Sequence, residues 1–352
     1  MEIRGNRIAE LDGLRGIAAI LVVLYHYTTR FSAKFNIGIL SDITFFKYGH
    51  YGVQMFFVLS GFVIFMAITK INSSFEFACK RFIRLYPTFW LCVLVTTLFV
   101  NFFGPNVLKV SLDDFVGNLT MIPHALNFKF VDGVYWTLQI ELCFYAFTML
   151  LIFARSTQYI TIVGLLYIII GFLLYYFFRL FPYYHHGLLF FAGIQFYKLW
   201  QGNKNWYPHF SLILVLVLSF LYRGFEFGAC ISLIFCIFYL LIYEKLNFLS
   251  LPVFVFLGKI SYAFYLLHQN IGYSIQLFLV QNDITNKIYL VVVPFFITLF
   301  ISSVVTFLFE QKVLKMLNTF YKVRFSTVSG NNRKADKTEV IPKCRIKPNF
   351  LL

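Results

Sequence analysis

Charged residues are scarce in this chain of 352 residues. Only 13% of the residues are Asp, Glu, Lys or Arg, whereas 60% are hydrophobic. A water-soluble protein of this size covers its surface with polar and charged side chains, which this composition cannot supply. The scarcity of charge therefore excludes a soluble globular protein and indicates an integral membrane protein that crosses the bilayer several times.

Cysteines are also few, and they show no paired spacing. The six cysteines are scattered along the chain and mostly lie within apolar runs. Zinc sites and disulfide frameworks require cysteines, or cysteines and histidines, at short and regular separations. We therefore expect neither a metal site nor a disulfide framework, and we interpret the cysteines as small buried apolar residues.

Acidic residues are half as numerous as basic residues, which gives the chain a net charge of +15. Such an excess can indicate a nucleic-acid partner, but ten of the 30 Lys and Arg residues follow Glu310 in a single terminal cluster. Membrane topology accounts for this distribution, so we expect no nucleic-acid partner. We interpret residues 311–352 as a basic, flexible cytoplasmic tail that contacts anionic membrane lipid.

Ten apolar runs approach the length of roughly 20 residues that is needed to cross the hydrocarbon core. They lie at residues 11–29, 48–69, 82–103, 134–154, 160–178, 183–199, 208–222, 226–243, 253–280 and 286–309. The predicted fold is therefore all-α, with about ten transmembrane helices. The loops on the side of the termini hold 22 of the 30 Lys and Arg residues. By the positive-inside rule, both termini are predicted to be cytoplasmic.

The first apolar run carries two ionisable residues, Arg15 and His26. Eleven helical steps of about 100° turn the two side chains to nearly the same direction, about 16 Å apart along the axis. His26 would then lie near mid-membrane, where ionisable residues usually face a cavity rather than lipid. A purely structural role, with Arg15 reaching the interface and His26 hydrogen-bonded between helices, explains this helix equally well. The run lacks a clean cleavage site, so we expect a retained first span rather than a signal peptide.

Two further ionisable residues lie at a similar predicted depth, Glu141 in the fourth run and His268 in the ninth. Glu141 shares a helical stripe with Thr137 and Tyr145, and His268 follows Tyr265 on another. Together with the histidine of the first run, they predict a polar chamber within the bilayer. The alternative is a polar seam that joins helices, which explains hydroxyl side chains well and a glutamate with two histidines poorly.

Two arginines, Arg81 and Arg84, lie three residues apart on one helical face near the start of the third run. Adjacent guanidinium groups repel each other unless an anion lies between them, and phosphate suits their planar donors. Anchoring to lipid headgroups explains the pair equally well.

Five segments, taken together and in chain order, resemble the acyltransferase-3 family of integral-membrane O-acyltransferases. They are Arg15-x10-His26, GVQMFFVLSGF at 52–62, RFIRLYP at 81–87, WTLQIELCFY at 136–145 and KISYAFYLLH at 259–268. The resemblance covers roughly residues 8–310, so we expect a membrane domain at 1–310. Many relatives carry a fused C-terminal SGNH-type domain, and residues 311–352 are too short for one, so we expect the stand-alone form.

The resemblance implies an activity and a location. The expected reaction moves an acyl group, most often acetyl, from cytoplasmic acyl-coenzyme A to a hydroxyl group. The expected acceptor is a cell-surface polysaccharide or its lipid-linked precursor, at the outer side of a bacterial-type inner (plasma) membrane. The expected cofactor is acetyl-coenzyme A as acyl donor, without a metal.

The family motifs imply roles for individual residues. The Arg-x10-His motif maps onto Arg15 and His26, the Arg-x-x-Arg motif onto Arg81 and Arg84, and the glutamate motif onto Glu141. We expect His26 to be the general base for the acceptor hydroxyl, with Glu141 orienting or charging its imidazole. The three arginines are expected to bind the phosphates of the donor.

Four further residues are expected to contact the acceptor or the acyl group. They are His268, Tyr265, Ser60 and Trp136. Ser60 lies in a run whose glycines, at positions 49, 52 and 61, permit close approach of a neighbouring helix or a ligand. Other histidines are expected at the acceptor mouth (His185 and His186) or at the membrane interface (His50, His124 and His209).

A transporter or flippase for a glycan or lipid precursor would also need ten spans and a polar chamber. The sequence lacks the inverted repeat and the paired broken helices that are typical of many transporters, which favours the enzyme. A structural membrane protein would need only the polar seam. The sequence does not distinguish between possible acceptor glycans, between acetyl and other short acyl groups, or between oligomeric states.

Overall fold

The computed structural model describes residues 8–71, 73–178 and 184–332, and these residues form helices without any β-strand. The helices are α1 (Ala9–Tyr25), α2 (Phe31–Phe35), α3 (Gly52–Ile68), α4 (Ser74–Phe103), α5 (Leu112–Asn118), α6 (Trp136–Phe153), α7 (Ile160–Phe178), α8 (Tyr184–Trp200), α9 (Tyr207–Ile242), α10 (Pro252–Gln281), α11 (Lys287–Val304) and α12 (Gln311–Asn332). Two π-helical turns, His26–Arg30 and Val305–Glu310, continue α1 and α11. The predicted tail is helical up to Asn332, and its remaining residues, 333–352, lie outside the described chain.

The ten predicted apolar runs are all helical where the structure describes them, and most boundaries agree within a few residues. The third run differs, because α4 begins at Ser74 rather than at residue 82. The hydroxyl of Ser73 caps this helix by accepting a hydrogen bond of 3.1 Å from the backbone N–H of Glu76. The arginine pair, Arg81 and Arg84, therefore lies within a regular helix.

Helix α9 is interrupted at Gly224 and folds back on itself. Gly224 has a φ of 80° and a ψ of −171°, a conformation that favours glycine. Nδ1 of His209 lies 2.9 Å from the hydroxyl of Tyr239, which is 30 residues later. A continuous helix would separate these residues by about 45 Å. Helix α9 is therefore an antiparallel helical hairpin, in agreement with the two short apolar runs at 208–222 and 226–243.

Six segments of the described chain are long and apolar enough to cross a membrane. They are Phe45–Ile68, Ser74–Phe103, Gly133–Phe153, Thr157–Phe177, Tyr207–Ile242 and Lys287–Arg324. Large apolar side chains such as Leu166, Ile170 and Leu173 are exposed along α7, as expected for a surface that faces lipid. The protein is therefore a multi-pass, all-helical membrane protein.

Helix α1 lies between two apolar clusters of the helix bundle. One cluster is built mainly from α3, α8 and α9, and the other mainly from α4, α6 and α10. Leu11, Leu14 and Ala18 of α1 belong to the first cluster, whereas Val22 belongs to the second. Helix α1 also packs along α10. Residues of α1 are therefore placed where the two halves of the bundle meet.

Helices α3 and α8 are in backbone contact through two glycines. A Cβ atom at Gly61 would overlap the carbonyl oxygen of Phe190, and one at Gly193 would overlap the carbonyl oxygen of Val58. Small residues allow helices in membranes to approach closely enough for extensive van der Waals contact. The close approach predicted for the glycines of the second run is confirmed at Gly61.

The segment between α4 and α6 is anchored to α10 by Asp132. Its buried carboxylate accepts backbone N–H hydrogen bonds from Val134, at 3.1 Å, and from Asn270, at 2.8 Å. Burial raises the pKa of Asp132 to about 7, against the opposing effect of these two donors. The side-chain amide of Asn270 donates in turn to the carbonyl of Val131, at 2.8 Å. These contacts hold α10 in place at Asn270, which is two residues after His268.

Replacing Gly61 by Ala should destabilise the protein, because the added methyl group would overlap the backbone of Phe190. The two helices would have to separate, at a cost of about 1–3 kcal/mol, as for other overpacked sites. Thermal unfolding of the purified protein in detergent measures this loss. Gly38→Ala is the matched control, because no atom lies within 4 Å of its added Cβ. Equal melting temperatures for Gly61→Ala and wild type would contradict the backbone contact.

Candidate active site

His26 and His268 meet where α1 packs against α10. His26 is the first residue of the π-helical turn that continues α1, a type of turn that is frequent at functional sites. His268 is completely buried within α10, whereas His26 is partly exposed. The ring centroids are 4.9 Å apart, and Nε2 of His268 lies 3.2 Å from Nδ1 of His26. The structure thus joins the two histidines of the predicted chamber directly.

Backbone carbonyl groups hold both rings. Nδ1 of His26 lies 2.8 Å from the carbonyl oxygen of Val22, and Nδ1 of His268 lies 2.8 Å from that of Tyr265. The hydroxyl of Tyr27 donates a hydrogen bond of 2.8 Å to the carbonyl of His268. Each ring is therefore oriented by its own helix, and α1 is bonded to α10 beside the pair.

A small cavity of about 120 Å³ lies among α1, α3, α4, α6 and α10. Its charged and titratable lining includes Arg15, Arg81, Arg84, Glu141, Tyr145 and Tyr265. The Glu141 carboxylate is the single negative group in this lining, and it accepts hydrogen bonds from Tyr145, at 2.6 Å, and from Ser60, at 3.2 Å. The cavity therefore combines three cations with one anion.

The two arginines of α4 have different partners. Arg84 forms an ion pair with Glu310, which is 3% exposed. The guanidinium of Arg81 lies over the rings of Phe77 and Tyr145, 5.6 and 5.8 Å from their centroids. Its buried Nε atom has no hydrogen-bond partner among the described residues. Arg84 is thus neutralised by an acid, whereas Arg81 contacts two aromatic rings.

A larger cavity of about 510 Å³ lies at the end of the bundle where α1 and α10 begin and the second π-helical turn ends. Its lining contains the cations Arg15, Arg84 and Lys259 and the acids Asp12 and Glu310. Arg15 and Arg84 also line the small cavity, so the two cavities adjoin at these arginines. Guanidinium and ammonium groups are suitable donors for the oxygens of a phosphate group, so this lining suits an anionic ligand.

Most of the residues predicted for the site lie together. Arg15, Arg81, Arg84, Glu141, Ser60 and Tyr265 line the small cavity. The Tyr265 hydroxyl lies 3.1 Å from that of Thr137, and its ring centroid lies 5.8 Å from that of His268. Trp136 does not line this cavity, and its ring packs instead against that of His186 at 5.2 Å.

The predicted pairing of Glu141 with the imidazole of His26 is not present. The carboxylate is held by the side chains of Tyr145 and Ser60, and no hydrogen bond or ion pair joins it to His26 within the described ranges. The physical reason is the packing of the helices, because α1 turns His26 toward α10, whereas α6 packs against α3 and α4. His268, rather than the predicted Glu141, is therefore the side chain that contacts the imidazole of His26.

Two charged residues of the larger cavity, Glu310 and Lys259, were given no site role from the sequence. Glu310 is the acid that immediately follows the tenth apolar run, and a carboxylate at the end of such a run is rare enough to be a signal. Lys259 begins the KISYAFYLLH segment, in which only the later residues Tyr265 and His268 were predicted to belong to the site.

The model of the acyltransferase-3 family, described as "Acyltransferase domain", matches residues 8–310. No solved structure gives a significant match.

Three curated relatives illustrate the match. "Peptidoglycan O-acetyltransferase OatA" of Listeria monocytogenes serovar 1/2a is 30% identical over 156 residues, which are 39% of this chain and 23% of OatA. "Putative acetyltransferase ORF330" of Acidianus two-tailed virus is 28% identical over 286 residues, which are 74% of this chain and 82% of the relative. "Putative peptidoglycan O-acetyltransferase YrhL" of Bacillus subtilis (strain 168) is 29% identical over 156 residues, 39% of this chain and 22% of YrhL.

The match therefore spans less than a quarter of OatA and of YrhL, and most of ORF330. The family model, in contrast, spans nearly the whole described chain. It also contains all the residues that form the two cavities, apart from the last two helical residues of the larger one, at 311 and 314. The protein is thus a member of the acyltransferase-3 family.

Proposed function

We propose that the protein is a membrane O-acetyltransferase of a bacterial-type cell membrane. It moves the acetyl group of cytoplasmic acetyl-coenzyme A to a hydroxyl group of a cell-surface glycan or of its lipid-linked precursor. Two relatives, OatA and YrhL, are named as a peptidoglycan O-acetyltransferase and a putative one. These names support acetyl as the acyl group and a glycan as the acceptor. Family membership favours this function over the transporter considered from the sequence.

The observation that carries the proposal is a line of polar side chains along α10. Lys259 lines the larger cavity, Tyr262 and Tyr265 line the small one, and His268 contacts His26 beyond them. A donor bound in the larger cavity and an acceptor at the histidine pair would therefore approach the same region from opposite ends.

The cations of the two cavities form the proposed donor site. Arg15, Arg84 and Lys259 would bind the phosphates, and the guanidinium of Arg81 offers a further donor in the small cavity. Acetyl-coenzyme A, when bound, supplies an acetyl thioester that is activated toward attack by an alcohol. Glu141 offsets part of the cationic charge and fixes the hydroxyl groups of the small cavity.

His26 is the proposed general base. Its Nε2 atom makes no hydrogen bond to any residue that the structure describes, and the side chain is partly exposed. A neutral imidazole with a free ring nitrogen can accept the proton of a hydroxyl group, as general-base catalysis requires. Nε2 takes the proton of the acceptor hydroxyl as the hydroxyl oxygen attacks the carbonyl carbon of the acetyl group. When the carbon–sulfur bond of the thioester breaks, Nε2 returns this proton to the leaving sulfur.

We further propose ten membrane crossings with both termini in the cytoplasm. The hairpin of α9 supplies two crossings, and α1, α8 and α10 would join the other apolar segments. The larger cavity lies at the end of the bundle where α1 begins, on the side to which the Lys and Arg residues of the loops are biased. The donor site would accordingly open to the cytoplasm.

Cysteine labelling should distinguish the two sides of the membrane. In a background without native cysteines, a membrane-impermeant maleimide should label Asp113→Cys in intact cells and Lys245→Cys only after lysis, because the two exposed positions lie in loops on opposite predicted sides. Labelling of both positions from outside would contradict the proposed topology.

Replacing His26 by Ala should lower kcat by about 10²–10⁴-fold, because the base is lost while the donor site is retained. The assay follows release of coenzyme A thiol by purified, lipid-reconstituted protein with soluble peptidoglycan fragments as acceptor. His209→Ala is the matched control, since His209 contacts Tyr239 within the α9 hairpin and should leave turnover unchanged. Wild-type turnover of the His26 variant would remove His26 from the mechanism.

Replacing Arg84 by Ala should raise the KM for acetyl-coenzyme A by about tenfold or more, because a charge-assisted phosphate contact is lost. The KM for the acceptor should change much less. Lys80→Ala is the matched control on the same helix, because Lys80 pairs with Glu76 one turn earlier and lines neither cavity. A larger effect on the acceptor than on the donor would instead indicate a role in lipid anchoring.

A further inference from the structure

The neighbours of His268 determine where its ring carries hydrogen. Nδ1 lies 2.8 Å from the carbonyl oxygen of Tyr265, and a carbonyl oxygen can only accept a hydrogen bond. Nδ1 of His268 is therefore protonated. In the neutral ring, Nε2 is then an acceptor, and this is the atom that faces His26.

The same reasoning applies to His26. Its Nδ1 lies 2.8 Å from the carbonyl oxygen of Val22 and 3.2 Å from the acceptor Nε2 of His268. One Nδ1 hydrogen thus serves two acceptors, as in other three-centre hydrogen bonds. Nε2 of His26 retains its lone pair, and this is the protonation form that a general base requires.

We propose that His268 is a positioning residue for acetyl transfer. Its Nε2 accepts the Nδ1 hydrogen of His26, keeps Nε2 of His26 unprotonated, and stabilises the positive charge that His26 acquires with the proton of the acceptor. When the carbon–sulfur bond breaks and this proton passes to the departing thiolate sulfur, His26 returns to the neutral form, and His268 stays neutral throughout. The inference rests on the proposed function of His26 as base.

This role is the one that a carboxylate fills in Ser-His-Asp triads, where it orients the base and stabilises the imidazolium. Here a buried imidazole fills it, and its own Nδ1 hydrogen is bound by the carbonyl of Tyr265. A neutral group costs far less to bury within a membrane protein than an unpaired carboxylate. His268 is 0% exposed, so it is enclosed by protein and not placed to contact the acceptor directly.

The two protonation forms can be observed without catalysis. We suggest solid-state NMR of the full-length protein, labelled with ¹⁵N-histidine and reconstituted in lipid. The signals are assigned by their loss in His26→Gln and His268→Gln. Both rings should show a protonated Nδ1 and a bare Nε2 in the wild-type protein. A bare Nδ1 on either ring would overturn the proposal, whether or not the protein proves to transfer acetyl groups.

Kinetics of two His268 variants test the consequence for the reaction. Leu fills a similar volume without an acceptor, whereas Gln retains an acceptor oxygen. His268→Leu should lower kcat by at least about tenfold and leave the KM for acetyl-coenzyme A within about twofold, and Gln should recover much of the loss. His209→Leu serves as the control histidine variant, and melting temperatures are compared for all variants.

Three results would contradict a positioning role. The first is that His268→Leu changes neither kcat nor the KM for acetyl-coenzyme A. The second is that His268→Leu raises this KM without changing kcat. The third is that the Leu and Gln variants lose kcat equally. If His268→Leu does not fold, the NMR measurement on the wild-type protein still decides between the two protonation forms. Normal turnover of His26→Ala, in contrast, would refute the proposed base without changing the NMR result.

Discussion

The close backbone packing of α1 against α10 is the constraint on which the site depends. A Cβ atom at Gly258 would overlap the carbonyl oxygen of Asp12, and one at Gly272 would overlap the ring of Tyr27. Apolar side chains gain little by leaving lipid for another helix, so contact at small residues and hydrogen bonds must hold such helices together. These two glycines on α10 therefore set the interhelical distance at which the two histidines of the site can share a hydrogen.

Charge balance is the second requirement, because guanidinium groups within a membrane protein need nearby anions. Arg84 is paired with Glu310, and Glu141 lies in the same cavity as Arg15 and Arg81. The linings of both cavities nevertheless contain more cations than anions. A polyanionic ligand would complete this balance, and the proposed acetyl-coenzyme A donor is such a ligand.

The sequence predicts local features of this protein well and the pairing of its helices poorly. Apolar length and composition predict the helices, including the reversal in α9. Helical periodicity predicts that Glu141 and Tyr145 share one stripe, and both residues line the small cavity. Periodicity describes the direction of a side chain about its own helix axis, but not the neighbouring helix that it faces. The sequence therefore indicated a polar chamber, yet it assigned Glu141 rather than His268 as the partner of His26.

The two π-helical turns explain a further part of what the sequence did not predict. An inserted residue rotates the side chains that follow it by about 100° relative to a regular helix. Arg15 and His26 both precede the residues that the first π-helical turn rotates. Glu310 ends the second π-helical turn, so counting along α11 gives it the wrong direction, and its ion pair with Arg84 could not be derived. Both irregular turns contain an ionisable residue of the candidate site, but only Glu310 follows the local departure from α-helical geometry.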